Sequence, residues 1–559
     1  MRRYLPLVIL FLASCANQTA PTGGPKDQDP PNLVSSNPKN KSINVKTKEI
    51  ELVFDEYVKL NKADDQIIIS PQTEIEKKYK IRKDKVYIEF DEYLPDSTTY
   101  TINFREGIQD LTEGNSPEDL KLAFSTGSYL DSLFIKGSVK DILTDKPGSN
   151  YSLFLYNAQD TLNIFEDKPL YFTKASDKGI YKFENIKNGN YNIYAVSDKN
   201  KNLKLELDEE SHGFIESTIK LDSSISKIDI ITTSTNAKPL ALISARQNGT
   251  IFEIKYNKNI IDYSLINTDT IELYSNFTDE NQTNIQIFNN NITLDSTETY
   301  VIATDSLGTQ SLDTIMVKFE ETVRQPKEFN SKINLEKVYQ SDGLLKGSIS
   351  FNKPIISYNF DSIYLFLDSL NLIKLDTSNY LKANKYLDRF DLEYTINKSL
   401  FESKETEQEQ VSTNRSDSVK RTPPPKPHLY VGHGAFVSVD SDSTNQQQSN
   451  LAFAQLSNTG TLLVEINTEE TDFIVQLLTP QFKIVQEKQN VHIFSFDKVN
   501  PGDYLVRVLV DKNKNGRWDP GNINLNILPE PVVFYTNDED NKQLTIRANW
   551  ELGPNIITF

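Results

Sequence analysis

Residues 183–202 read FENIKNGNYNIYAVSDKNKN, and residues 496–515 read FDKVNPGDYLVRVLVDKNKN. The two align without a gap, with Phe183 on Phe496, Gly189 on Gly502, Tyr191 on Tyr504 and Asp198 on Asp511. In each copy apolar residues alternate on both sides of a glycine, and a period of two puts every second side chain on one face of a strand. The pattern predicts a strand, a tight turn, a Tyr-led strand and then an acidic loop. A unit of this kind that recurs far along the same chain points to tandem small β-domains rather than one large core.

Composition agrees. A chain of 559 residues exceeds what one core serves, and the usual domain size predicts roughly three to five domains. Tyr and Phe number 26 and 29, against two Met and two Trp, a bias that suits pleated, half-buried surfaces. The predicted class is all-β, built of tandem β-sandwich domains. A net charge of −18 leaves nothing to neutralise a phosphate backbone, so no nucleic-acid partner is expected. The same acidity suits hard cations.

The chain opens MRRYLPLVILFLASCANQ, with two arginines, an apolar run from Leu5 to Leu12, small residues and then Cys15, its single cysteine. Charged n-region, apolar h-region and small-residue site make a secretory signal, and the run is too short to span a bilayer. LASC resembles a bacterial lipobox, which implies a signal peptide over 1–15 and a covalent lipid on Cys15. The competing reading is an uncleaved anchor that carries a cysteine by accident. Residues 16–30 follow as a Pro- and Gly-rich tether, extended and mobile by composition. Ala16 lacks the aspartate associated with inner-membrane retention in enterobacterial lipoproteins, and no acidic run follows Cys15. The expected location is the outer membrane, lipid-anchored, with periplasmic face or cell surface left open.

From residue 31 to 128 short alternating runs appear, among them EIELVFDEYV (49–58), KVYIEFDEYL (85–94), LPDSTTYTINF (94–104) and LAFSTG (122–127). In order and content they resemble the bacterial Ig-like domain of S-layer and surface lipoproteins, and the tether is similar to those of Bacteroidetes-type lipoproteins. LDSTETYVIATDSLGT (294–309) echoes this unit, with Tyr300 expected in the role of Tyr100, and SISFNKPI (348–355) echoes the strand at 54–58. Two further Ig-like domains are therefore expected over 229–325 and 326–456. The last of these holds residues 403–427, which have almost no apolar content and read as a disordered insertion. The repeated hairpin resembles the prealbumin-like or CnaB-type β-sandwich, which implies two such modules over 129–228 and 457–559.

The acidic loops carry the candidate chemistry. In a calcium loop, side-chain oxygens at positions 1, 3 and 5 alternate, glycine at 6 permits the turn, and a carbonyl enters at 7. Asp511, Asn513, Asn515, Gly516 and the Arg517 carbonyl fit, with Asp519 at position 9; position 12 is Asn522 rather than the usual glutamate. A structural calcium is one reading, and a polar turn closed by its own Asn and Asp side chains is the other. The first copy keeps Asp198, Asn200 and Asn202 but has Leu203 in place of glycine, with Glu206, Asp208 and Glu209 as further carboxylates. It is the weaker candidate.

Catalytic patterns are poor. The four histidines, His212, His428, His433 and His492, lack metal-ligand spacing, and HLYVGH (428–433) is expected to place its two on opposite faces of a strand. No nucleophile elbow or phosphate-cradling glycine loop occurs. The FDEY carboxylates at 54–57 and 90–93 suit solvated strand edges. These residues predict a non-catalytic, lipid-anchored envelope protein, a structural or binding scaffold with an envelope protein or a glycan as partner. The alternatives are carbohydrate binding and an accessory subunit of an outer-membrane transport or secretion machine, with a glycan-active enzyme as a distant one.

Overall fold

A computed structural model describes residues 28–559 except 162, 209, 269–270, 279–280, 290–295, 340, 369, 376–379 and 398–425. The signal peptide, Cys15, most of the tether and most of the 403–427 insertion lie outside the described residues. Lys426 and Pro427 are described, and the Pro427 carbonyl accepts the Leu451 N–H at 2.8 Å. The chain is all-β and divides into two compact units. One comprises Met1–Lys140, Pro147–Leu205 and Ser217–Ile230, the other Asp141–Lys146, Glu206–Glu216 and Ile231–Phe559.

In the first unit, an antiparallel sheet runs Leu33–Asn37, Glu49–Phe54, Lys85–Phe90, Lys77–Arg82. A second runs Ile68–Ser70, Thr99–Asn103, Lys121–Ser125. Alternation assigns the faces: Ile50, Leu52 and Phe54 are buried with Val86, Ile88, Ile102 and Phe124 in one core. Each such side chain contributes about 1.5–3 kcal/mol by leaving water. Glu51 points outward and pairs with Lys85 at 2.6 Å. The strand ends at Phe54 because Asp55 turns back to accept the Asn32 N–H at 2.8 Å.

The first repeat of the opening hairpin follows. Leu133–Asp141 pairs with Ile180–Ile186, while Ser152–Asn157 lies between Tyr171–Lys174 and Gly189–Val196, with Ile219–Leu221 on the latter. The Tyr of the motif has a defined task. Tyr191 donates its hydroxyl to the Lys187 carbonyl at 2.8 Å, folding its ring across the turn. A Cβ on Gly189 would meet that hydroxyl at 3.3 Å, which accounts for the glycine.

The second unit repeats both architectures. Leu242–Asn248, Ile251–Tyr256, Asn284–Phe288 and Ser275–Phe277 make a four-stranded sheet in the same succession as the first Ig-like sheet. Ile260–Asn267, Thr297–Asp305 and Gln310–Val317 make its partner. A third copy is built from Ser331–Leu335, Leu344–Phe351, Arg389–Thr395 and Leu381–Ala383 against Asn371–Lys374, Ile363–Asp368, His428–Val431 and Gln447–Asn450. The chain ends in the second copy of the hairpin module. Gly460–Asn467 pairs with Ile493–Val499, and Phe473–Leu478, buried throughout, lies between Ile484–Gln489 and Gly502–Val510. Leu544–Ile546 lies on Gly502–Val510, as Ile219–Leu221 does in the first module. Tyr504 donates to the Asn500 carbonyl at 2.8 Å, the same bond four residues back.

One echo fails. Tyr100 is buried, whereas Tyr300 is part-exposed and donates its hydroxyl to Glu298 at 2.7 Å. DSTTY (96–100) has become DSTETY (295–300), and one added residue turns every later side chain to the opposite face. Thr299 and Val301 take the core face instead. The two histidines of HLYVGH also differ from the expectation. The strand ends at Val431, His428 is buried against Phe366, and exposed His433 lies beyond the strand.

Candidate metal loops

The strand Gly502–Val510 delivers Asp511 buried, 4% exposed, at the mouth of the loop. Its Oδ1 accepts the Asn515 N–H at 3.1 Å and its Oδ2 the Gly516 N–H at 2.7 Å. Asn513 Oδ1 accepts the Asn515 N–H at 3.1 Å, and Asn515 Oδ1 the Arg517 N–H at 3.0 Å. Gly516 has φ +84 with open space where a Cβ would be, so its role is conformational. Alternating oxygens thus form a ladder onto successive backbone N–H groups, and each oxygen retains a second lone pair.

Asp519 closes the ring. Its Oδ2 accepts the side-chain amides of both Asn513 and Asn515, the latter at 2.7 Å. Its Oδ1 is enclosed and accepts no hydrogen bond; the Arg517 Nε lies 3.3 Å away as an ion-pair partner. Arg517, expected to offer only its carbonyl, therefore also brings its side chain to the loop. Asn522 at position 12 accepts the Asn524 N–H at 3.0 Å, capping the short turn Ile523–Leu525.

Glu530 is the residue that sequence reasoning missed. It is 9% exposed; Oε1 accepts the N–H of Lys512 at 2.8 Å and of Asn513 at 3.1 Å, and Oε2 that of Asp519 at 2.9 Å. Trp518 Nε1 donates to the Glu530 carbonyl at 2.8 Å. One carboxylate thus ties both ends of the loop together. The only signal was a lone acid between two prolines, Pro529 and Pro531.

The first loop carries the same ladder. Asp198 Oδ1 accepts the Asn202 N–H at 3.1 Å and Oδ2 the Leu203 N–H at 3.3 Å, with Asn200 and Asn202 repeating the steps of Asn513 and Asn515. Leu203 takes the glycine's left-handed conformation at φ +61. Burial pushes the Asp198 carboxyl up, against the backbone N–H groups that favour its charge. Asp198, Asn200 and Asn202 belong to the first unit, Glu206 and Asp208 to the second. There Asp208 pairs with Lys238 at 2.5 Å, and the Glu206 N–H is taken by Glu210 at 3.0 Å. Glu209 lies outside the described residues. Among the described residues, no three of His, Cys, Asp and Glu are grouped to hold a metal ion. Any ion at these loops would therefore lean on asparagine and backbone oxygens.

The Ig-like copies hold acidic turns of their own. Asp110 gives Oδ1 to the N–H groups of Thr112, Glu113 and Gly114 and Oδ2 to that of Asn115. In the next copy Asp305 Oδ1 accepts the N–H groups of Leu307 and Thr309, and Oδ2 pairs with Lys258, both side chains buried. In the third, Lys353 is buried between Asp440 at 2.8 Å and Asp442 at 2.5 Å. The lysines share one place in the echoed strand ends YNKNI (256–260) and FNKPI (351–355), where FDEYV (54–58) has Glu56. No helix among the described residues is long and apolar enough to cross a membrane.

No curated protein matches the chain. Among solved structures it is similar to the Bacillus anthracis TIE protein, at 10% identity over 95% of this chain and 75% of that one, with TM-score 0.12. It is also similar to BcpA, the major pilin subunit of Bacillus cereus, at 8% identity over 77% and 98%, with TM-score 0.14. A third is the S-layer protein rSbsC(31-844), at 10% identity over 65% and 62%, with TM-score 0.13. Residues 27–126 match the family model of the bacterial Ig-like domain. The match covers the sandwich that opens the first unit, which is a bacterial Ig-like domain.

Proposed function

We propose that this chain is a non-catalytic scaffold of the cell envelope, lipid-anchored through Cys15 at the outer membrane, with an envelope protein or a glycan as its partner. The observation that carries the reading is the way consecutive sandwiches within each unit are joined. In the second unit, Tyr386 of the third Ig-like copy stacks on Tyr263 of the preceding one at 4.9 Å and meets Phe277 edge-on at 5.4 Å. Lys385 beside it pairs with Asp262 at 2.6 Å and donates to the Tyr263 carbonyl at 2.7 Å. Buried Gln286 donates to Asn276 at 2.6 Å, and Asn276 reaches Asp388 across the joint at 3.1 Å. In the first unit, Asn185 of the hairpin module donates to Thr101 of the Ig-like domain at 2.7 Å, and Lys121 pairs with Glu184 at 2.7 Å.

Aromatic stacking and buried polar bonds of this kind fix neighbouring domains, whereas freely moving domains are joined by polar linkers with few contacts. Fixed spacing between modules is what a scaffold needs. The C-terminal loop is proposed to take one structural calcium at Asp511, Asn513, Asn515, the Arg517 carbonyl and Asp519, supported by the oxygen alternation and the enclosed Asp519 Oδ1. Such an ion would add stability to the last module. Lacking a bidentate position-12 ligand, the site belongs in the weak range, about 10⁻⁴–10⁻³ M.

The anchoring is tested by Cys15→Ser. A fatty-acid analogue should label the native protein and not the variant, and the variant should leave the membrane fraction after a carbonate wash. Retention of unlabelled variant on membranes contradicts the anchor. Protease treatment of intact cells then separates surface from periplasm.

A further inference from the structure

The third Ig-like copy, inside the second unit, carries a groove of about 1200 Å³ on the outer face of the sheet Ser331–Leu335, Leu344–Phe351, Arg389–Thr395, Leu381–Ala383. Leu345, Ile349, Phe390 and Leu392 turn into the core, so alternation sends Lys346, Ser348, Asp391 and Glu393 outward. The register sets Asn334, Ser348, Asp391 and Lys382 in one row across the four strands. Ser348 lies at the floor of the groove, 8% exposed although it faces away from the core. Among the described residues its hydroxyl makes no hydrogen bond.

A hydroxyl offers one donor and two acceptor sites, and leaving them unmet in a buried place is costly. The charges around Ser348 balance, with Lys346, Lys382 and Arg389 against Glu336, Asp391 and Glu393. Arg389 is closed on Asp391 at 2.7 Å, and Lys346 lies 3.9 Å from Glu393. A charged ligand would meet its own sign as often as the opposite one, whereas a neutral ligand whose groups both donate and accept is met by all of them. Half-buried Tyr380 and Tyr394 also line the groove and meet edge-on at 5.2 Å. An edge-on contact leaves a ring face for the apolar side of a sugar ring. On the other sheet of this copy, Tyr364 and Tyr430 instead stack on each other at 4.5 Å, so their facing sides are already covered. An extended peptide adds to a sheet edge, and this groove lies on a face. A site for one drug-sized molecule measures about 300–1,000 Å³, so there is room here for a short chain of sugar rings.

We propose that this groove binds a neutral oligosaccharide, with Ser348 bonded to a sugar hydroxyl at its floor and the row of Asn334, Asp391 and Lys382 around it. The inference rests on the reading that a glycan is the scaffold's partner, and it names where on the chain that glycan sits.

The test uses the full chain carrying Cys15→Ser, so that it is soluble without its anchor. Cellohexaose, laminarihexaose, maltohexaose and chitohexaose are each titrated by calorimetry, with hexagalacturonate as the acidic comparison. At least one neutral hexamer should bind saturably, with an affinity that salt leaves unchanged because the ligand has no charge to screen. Hexagalacturonate should not bind. Ser348→Ala and Lys382→Met should each weaken binding about three- to tenfold, the worth of one hydrogen bond. Ser348→Leu, which fills the floor, should abolish it, with an unchanged melting temperature to show that the variant folds. Tyr430→Ala, on the other sheet, should leave binding unchanged. Binding that survives Ser348→Leu and is not weakened by Ser348→Ala keeps a glycan as the partner but refutes this groove. If no neutral hexamer binds, the proposal is wrong, and an anchored native protein then leaves an envelope protein as the scaffold's partner.

Discussion

Asp305 in the second Ig-like sandwich and Asp511 in the last module both sit buried at a turn, yet they are satisfied differently. Asp511 gives both carboxylate oxygens to backbone N–H groups. Asp305 gives only Oδ1 to them, and a buried lysine, Lys258, takes the other oxygen. Asp110, whose oxygens all meet N–H groups, needs no lysine, and its strand end carries Glu56 instead. Asp305 and Asp511 accept two N–H groups each, so what decides whether a cation is required is whether those groups reach both carboxylate oxygens or only one. In the last module the oxygen left over belongs to Asp519, and Arg517 only partly answers it.

The comparison is broken most severely by removing the cation alone. Lys258→Met should cost about 3–5 kcal/mol, because Asp305 is left buried and unpaired. Lys258→Met with Asp305→Asn should recover most of that loss. Hydrogen exchange in the strands Ile251–Tyr256 and Thr297–Asp305 reads the effect where it occurs. Equal stability of the single and double variants would show that the pair is not coupled.

Next comes Glu530→Ala, which strands the N–H groups of Lys512, Asn513 and Asp519. A cost of about 2–3 kcal/mol is expected, allowing for water reaching the opened loop. Faster proteolysis between residues 511 and 531 should accompany it. Unchanged proteolysis would mean that the ladder from Asp511 holds the loop unaided.

The two hairpin modules allow a reciprocal exchange. Leu203→Gly should stabilise the first module by about 1 kcal/mol, because leucine at φ +61 pays a steric cost that glycine escapes. Gly516→Leu should lose about the same in the last module. Matching signs for the two substitutions would refute the equivalence of the loops.

The smallest effect is one of pH. The folded-state pKa of Asp198 is raised, so the folded state holds its proton more tightly than the unfolded chain. The resulting stabilisation is present below the ordinary aspartate value of 3.8 and fades as pH rises through the raised one. Asp198→Asn should flatten the stability profile of the first unit across that window. A profile identical to the parent's would show that the carboxyl is not desolvated.

Much of this was legible in the chain. The strand alternation, the Phe–Gly–Tyr hairpin and the loop ladder all arise between residues close in sequence, where period and spacing carry the signal. Tyr300 was misplaced because an echo in composition hid one inserted residue, and in a strand one residue is the whole difference between inside and outside. Lys258 with Asp305, Lys353 with Asp440 and Glu530 with the 511–519 loop were not legible. Each depends on which distant segments the sheets bring together, and nothing local to a lysine or a glutamate announces a buried partner.

Terbium luminescence is the most direct measurement of the central difference between the acidic loops. Trp518 stands inside the 511–519 loop with its indole on the Glu530 carbonyl, so a lanthanide seated there should be sensitised by tryptophan excitation. The full chain should give sensitised emission that millimolar calcium displaces. Asp511→Ala should abolish it, and Asp198→Ala should leave it unchanged. No sensitised emission from the parent chain, or emission that survives Asp511→Ala, would show that the loop is closed by its own hydrogen bonds and holds no metal.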